Sequence, residues 1–132
     1  MTTVLFACVH NAGRSQMAAA VFNRLVNPAQ GRALSAGTHP ADRVHAVVVD
    51  AMREIGIDLS TARPQLLTPE MAHSVDWLIT MGCGDECPVA PGVEREDWPL
   101  PDPKGKGVDD VRAIRDEIAS RVRDFIERQR LG

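Results

Sequence analysis

The chain opens on a run, Thr2 to Ala7, in which Val4, Leu5, Phe6 and Ala7 follow one another with no polar interruption. A segment that is apolar at successive positions has no face for solvent, so it predicts a strand buried on both sides of a parallel sheet. From Ser15 to Val26 the period changes. Met17, Ala20, Val21 and Leu25 recur at helical spacing, and Asn27-Pro28 stops the helix. Arg32 to Ala36 reads as a second short strand ending at Gly37. Pro40 and Asp42 then introduce a helix with the stripe Val44, Val47, Val48, Ala51, Met52 and Ile55, stopped at Gly56.

A breaker-rich loop follows, holding a short helix from Thr68 to Ala72 with Thr68 as its N-cap and Pro69 at its first position. Val75 to Met81 predicts a third buried strand. Between Gly82 and Gly107 stand five prolines, Pro88, Pro91, Pro99, Pro101 and Pro103, which leave mostly loop and room for one short strand, Glu94 to Trp98. The last helix runs from Val108 to about Arg130, with Val108, Val111, Ile114, Ile118, Val122, Phe125 and Ile126 on one face. Strands alternating with helices predict an α/β fold: a four-stranded parallel sheet flanked by helices on both sides. In such sheets ligands bind beyond the C-terminal ends of the strands.

Composition narrows the setting. With 132 residues, 44% of them hydrophobic, the chain is expected to form one domain over 1–132. A net charge of −3 gives no support for nucleic-acid binding, so any affinity for anions must be local. No stretch approaches the roughly 18 apolar residues of a membrane span, and MTTVLFACVH lacks the marks of a signal peptide, so a cytoplasmic protein away from membranes is expected. No apolar helix face is left over, which predicts a monomer. Three cysteines in a reducing compartment argue for chemistry or inert burial over a disulfide framework.

The chemistry concentrates at Cys8-Val9-His10-Asn11-Ala12-Gly13-Arg14-Ser15, directly after the first strand and at the start of the first helix. Cysteine attacks as thiolate, and a helix start, an arginine and a hydroxyl donor lower its pKa to roughly 3.5–7.5 in such settings. Here the amides of Val9, His10, Asn11, Ala12, Gly13, Arg14 and Ser15 can curl around a tetrahedral oxyanion, while Arg14 forks two of its oxygens. Gly13, and less freely Asn11, are expected to supply the positive φ angles of such a cradle.

Asp102, in Pro99-Leu100-Pro101-Asp102-Pro103, sits in a proline-stiffened turn suited to holding a carboxyl over the site as a general acid. Cys83 and Cys87 share a glycine-containing loop at the end of the third strand. At the same sheet edge as Cys8 they suit thiol exchange, in which one sulfur attacks an adduct and the next relieves the disulfide; inert packing is the other reading. A metal site is not expected, because one C-x3-C pair and the scattered His10, His39, His45 and His73 match no zinc spacing. His10 is read as shaping the loop, the other three histidines as surface residues. Asn11 and Ser35 are candidates to brace the cradle.

Together the blocks CVHNAGRSQMA, SAGTHP, TMGCGDECP, EDWPLPDP and VRAIRDEI, spread in order over almost the whole chain, resemble the arsenate reductases built on the low-molecular-weight protein tyrosine phosphatase fold. That resemblance implies Cys8 as nucleophile, Asn11, Arg14 and Ser15 as its cradle and activator, and Asp102 as acid. Cys83 and Cys87 match the second and third thiols of the thioredoxin-coupled branch. It implies arsenate as substrate, with phosphate or sulfate as mimics, thioredoxin as electron donor, and no cofactor. A Cys8 to Cys83 disulfide, passed on to Cys83 and Cys87, is implied in the same way. A related branch hands its adduct to mycothiol and a mycoredoxin, and hydrolytic phosphatases share the loop. The absence of tyrosine, and of aromatics after Asp102-Pro103, argues against a phosphotyrosine pocket. Ala19 stands where some relatives carry a glutamate that helps to hold potassium.

Overall fold

The apolar run at the N-terminus becomes β1, Thr2–Cys8, and Val4 through Ala7 are wholly buried. It lies inside a four-stranded sheet of order β2-β1-β3-β4, with β2 at Gly31–Gly37, β3 at Trp77–Thr80 and β4 at Glu94–Asp97. All three pairings are parallel. The chain turns to one side of β1 for β2 and to the other for β3, so β1 borders the switch point, and Cys8 is its last residue. The structure, a computed structural model, describes residues 1–83, 87, 88 and 90–132. β4 reads Glu-Arg-Glu-Asp, and such a charged edge strand discourages pairing with another sheet.

One face of the sheet is covered by α1 (Arg14–Leu25), α2 (Ala46–Arg53) and α4 (Val108–Arg128), which pack on Val4, Phe6 and Cys8. Phe125 centres this layer, its ring 5.0 Å from that of Trp77 and 6.3 and 6.4 Å from those of Phe22 and Trp98. The other face holds Leu5, Ala7, Ala36 and Leu78, covered by Leu67, Val75 and α3 (Pro69–His73). As expected, the Thr68 side chain caps α3 by accepting from the Met71 amide at 3.1 Å. Just past the end of α2, Glu54 accepts from Arg112 (2.6 Å) and Arg115 (2.8 Å) of α4. These two hydrogen bonds hold its carboxyl down at about 2.

Three expectations shift. In α1 the buried face runs through Met17, Ala18, Val21 and Phe22, while Leu25 is 43% exposed at the end of the helix. The stripe therefore starts at Met17 as expected but ends about one turn earlier than the spacing suggests. α2 begins only at Ala46, so Val44 packs from the preceding loop, and Ile55, past the helix end, is exposed. β3 spans four residues instead of seven.

Candidate active site

Between Cys8 and α1 the backbone is turned by hydrogen bonds to its carbonyls. The oxygens of Cys8, Val9, His10 and Ala12 accept from the amides of Thr38, His39, Ala41 and His45, at 2.8–3.1 Å. The Asn11 oxygen accepts from Gln16 Nε2 at 3.1 Å, and that of Gly13 from Met17 N at 2.9 Å. In a trans peptide N–H and C=O point opposite ways, so each outward carbonyl turns the following amide inward. The Asn11 amide, which follows the His10 carbonyl, accordingly meets Cys8 Sγ at 3.3 Å. With the unsatisfied amides that open α1, the loop is a concave row of donors above a sulfur that is only 2% exposed.

Ser15 Oγ lies 2.8 Å from Cys8 Sγ and accepts from Asn11 Nδ2 at 2.7 Å, which leaves the hydroxyl proton free to point at the sulfur. Asn11 is itself clamped: its Oδ1 accepts from Gln65 N (3.0 Å) and Gln16 Nε2 (3.2 Å), and it is wholly buried. This clamp explains a correction to the expected backbone. Asn11 takes the left-handed conformation, φ 50°, whereas Gly13 has a negative φ, −148°, with ψ −88°. Asparagine tolerates that region, and its amide group is held by the clamp.

Arg14 is buried at the mouth, with Nη1 on the Leu100 carbonyl (3.1 Å), Nη2 3.7 Å from Asp102 Oδ2, and Nε unpartnered. A buried donor left open beside a row of inward amides is a place for an anion's oxygen. Gly82, φ 103°, crosses directly over this guanidinium; a Cβ there would overlap Arg14 Nη1. Asp102 is two-fifths exposed and accepts from the Lys104 amide at 2.9 Å. His45, half-buried, is pushed down by burial, aided by His10 and Lys104 and opposed by Asp102. It is therefore less of a surface residue than expected. His10 Nδ1 lies 3.2 Å from the His39 carbonyl.

Cys83 and Cys87 are joined by a disulfide, Cα to Cα 5.6 Å, and both are buried. They pack with Leu5 and Ala7, on the sheet face opposite Cys8, and Cys83 Sγ sits 4.0 Å from the Ala7 carbonyl. Residues 84–86 of the glycine-containing loop that joins the two cysteines lie outside the described residues. Cys8, Asn11, Arg14, Ser15 and Asp102 thus converge, and the cysteine pair packs against Ala7 on the other face of β1. Ser35 contributes a carbonyl to Gln65 Nε2 at 2.7 Å. Gln16, Gln65 and Leu100 complete the site unannounced; a buried polar residue in the first turn of an otherwise apolar helix face was the one available sign, at Gln16.

A thiol at the end of a central parallel strand, under inward amides and a buried arginine, defines a cysteine enzyme that works on tetrahedral oxyanions. The low molecular weight phosphotyrosine protein phosphatase model matches residues 3–131, and the chain belongs to that family. A relative from Halobacterium salinarum is 42% identical over 128 residues, covering 92% of this chain and 89% of its own. The arsenate reductase of Bacillus licheniformis is 36% identical over 135 residues, 95% of each. Among solved structures, the Corynebacterium glutamicum thioredoxin-dependent arsenate reductase matches with a TM-score of 0.86 and 39% identity over 99% of this chain. The present chain spans 63% of that protein's length. Among the described residues, no helix is long and apolar enough to cross a membrane.

Proposed function

We propose that this chain reduces arsenate to arsenite through Cys8, Cys83 and Cys87, and that thioredoxin returns it to the dithiol state. The observation that carries the reading is the Cys83–Cys87 disulfide beside a thiol cradle, the oxidised form of a cysteine pair that as a dithiol holds two electrons next to an oxyanion site. Arsenate occupies the concave face, its oxygens on the inward amides and on the open edge of Arg14. Asp102, beside Arg14 at the mouth of the site, stands where it can hand a proton to a departing arsenate oxygen. Ser15 and the Asn11 amide stabilise the Cys8 thiolate, which attacks arsenic; an arsenate oxygen leaves as water with the Asp102 proton.

Reduction follows when the Cys83 thiolate attacks Cys8 Sγ. The pair of the sulfur–arsenic bond passes to arsenic, which departs as arsenite, and a Cys8–Cys83 disulfide remains. Cys87 then attacks Cys83 and frees Cys8, giving the bond present in this structure. A dithiol protein donates two electrons to reopen it. The likeness to the Corynebacterium glutamicum enzyme supports thioredoxin in that role, and thioredoxin reduction supports the cytoplasm as the site of action. Cradle, acid and cysteine pair come from one chain, which supports a working monomer. The test is mass spectrometry after one equivalent of arsenate: Cys87→Ser accumulates a Cys8–Cys83 disulfide and Cys83→Ser stops at the Cys8 adduct. Full turnover of both variants with a small external thiol would refute the relay.

A further inference from the structure

The loop that carries Asp102 has no secondary structure, and Asp102 and Lys104 face solvent on either side of a buried Pro103. That ring is seated on the cradle itself. A Cβ built on Gly13 would overlap Pro103 Cγ, lie 3.3 Å from its Cδ and 3.6 Å from Val48 Cγ2 of α2. Gly13 does not take a positive φ; at φ −148° and ψ −88° its backbone stands apart from the usual helix and strand values, and room for the prolyl ring is a second, separate demand on this position. Two polar contacts flank the seat: Arg14 Nη1 to the Leu100 carbonyl, and Lys104 N to Asp102 Oδ1.

We propose that Gly13 and Pro103 are positioning residues, a socket and a knob that fix the acid loop over the oxyanion cradle. The inference rests on the proposed reaction, in which Asp102 is the proton donor, and adds what sets its place. Side-chain contacts of Asp102 alone do not fix it, because its carboxyl is two-fifths exposed and 3.7 Å from Arg14. A ring packed against a peptide with no Cβ has a single depth of approach, and a shift of about 1 Å is enough to cost a catalytic group much of its effect.

The experiment compares Gly13→Ala, Pro103→Ala and the double variant. Gly13→Ala lifts the loop: turnover of arsenate falls about 100-fold, within the range of a lost general acid. The limb on which activity declines as the acid deprotonates flattens with it. Pro103→Ala empties the socket and lowers kcat about tenfold, with KM for arsenate unchanged. In the double variant the new methyl occupies the vacated room, and turnover recovers above that of Gly13→Ala. Hydrogen exchange at the Lys104 amide reads the same lock without catalysis: protected in the parent, fast in both single variants, slow again in the double. Parent-like turnover and protection in Gly13→Ala, or a double variant no better than Gly13→Ala, overturns the proposal. Should Gly13→Ala not fold, Pro103→Ala decides, and unchanged kcat, pH profile and exchange there overturn it equally. If the parent itself does not turn over arsenate, the reaction is wrong, while Lys104 exchange still decides the lock.

Discussion

Replacing Asn11 tests the cradle at its most constrained residue. Asn11→Ala removes the acceptor of the Gln65 amide and the donor to Ser15, and leaves a residue with a Cβ at φ 50°. Losing these two hydrogen bonds, the one to Ser15 buried and the one from Gln65 part-buried, costs about 1–3 kcal/mol. Holding alanine in the left-handed region costs about 1–2 kcal/mol more. Gln16 Nε2 loses one acceptor but keeps the carbonyls of residue 11 and of Arg63. The expected loss is about 3–4 kcal/mol, a large part of the about 5–15 kcal/mol that holds a typical domain together. Thermal unfolding followed by circular dichroism should show Tm falling by the order of 10 °C. Asn11→Gly relieves the backbone and keeps the lost hydrogen bonds lost, so it should be more stable than Asn11→Ala by about 1 kcal/mol. Equal stability of the glycine and alanine variants would show that the left-handed turn is not where the cost lies. A loss under about 1 kcal/mol for alanine would sink the clamp altogether.

The remaining expectations concern the scaffold. The folded-state pKa of Glu54 is depressed, so its ion pairs contribute stability above pH 4.5 that disappears as pH falls toward about 2. Glu54→Gln should therefore be less stable than the parent at neutral pH and match it near pH 2, as urea titrations across that window will reveal. Phe125→Ala empties the centre of the aromatic layer and should cost about 3–5 kcal/mol in urea unfolding, with Cys8 still hidden from alkylation in the folded protein.

The sheet and its helices were legible because their apolar runs change period where the elements change, from continuous at Val4 to Ala7 to helical from Met17 onward. The family was legible in the motif blocks. What escaped was set by distant packing. Leu25 has the right spacing for the core, but α1 ends at it and leaves no neighbour to cover it. The room that Gly13 leaves for Pro103 was hidden because the two lie ninety residues apart, and nothing local reports a missing Cβ's use. Gln65 acts through its backbone amide on Asn11, a contact that any residue but proline at that position would offer equally in sequence. Short-range patterns encode elements; the tertiary contacts that aim a cradle leave little trace in them.

Cys8 and the Cys83–Cys87 disulfide belong to opposite faces of β1. Side chains of neighbouring residues on a strand diverge, so the sheet stands between the Cys8 thiol and the disulfide packed against Ala7, the residue before it. Exchange requires the attacking sulfur to approach along the sulfur–sulfur axis, so in the proposed relay Cys83 reaches Cys8 only by leaving the seat that the oxidised pair takes against Leu5 and Ala7. The oxidised protein therefore behaves as a rectifier. Once the bond has moved to the far face, Cys8 is spared recapture and is ready for another anion before the reductant has arrived.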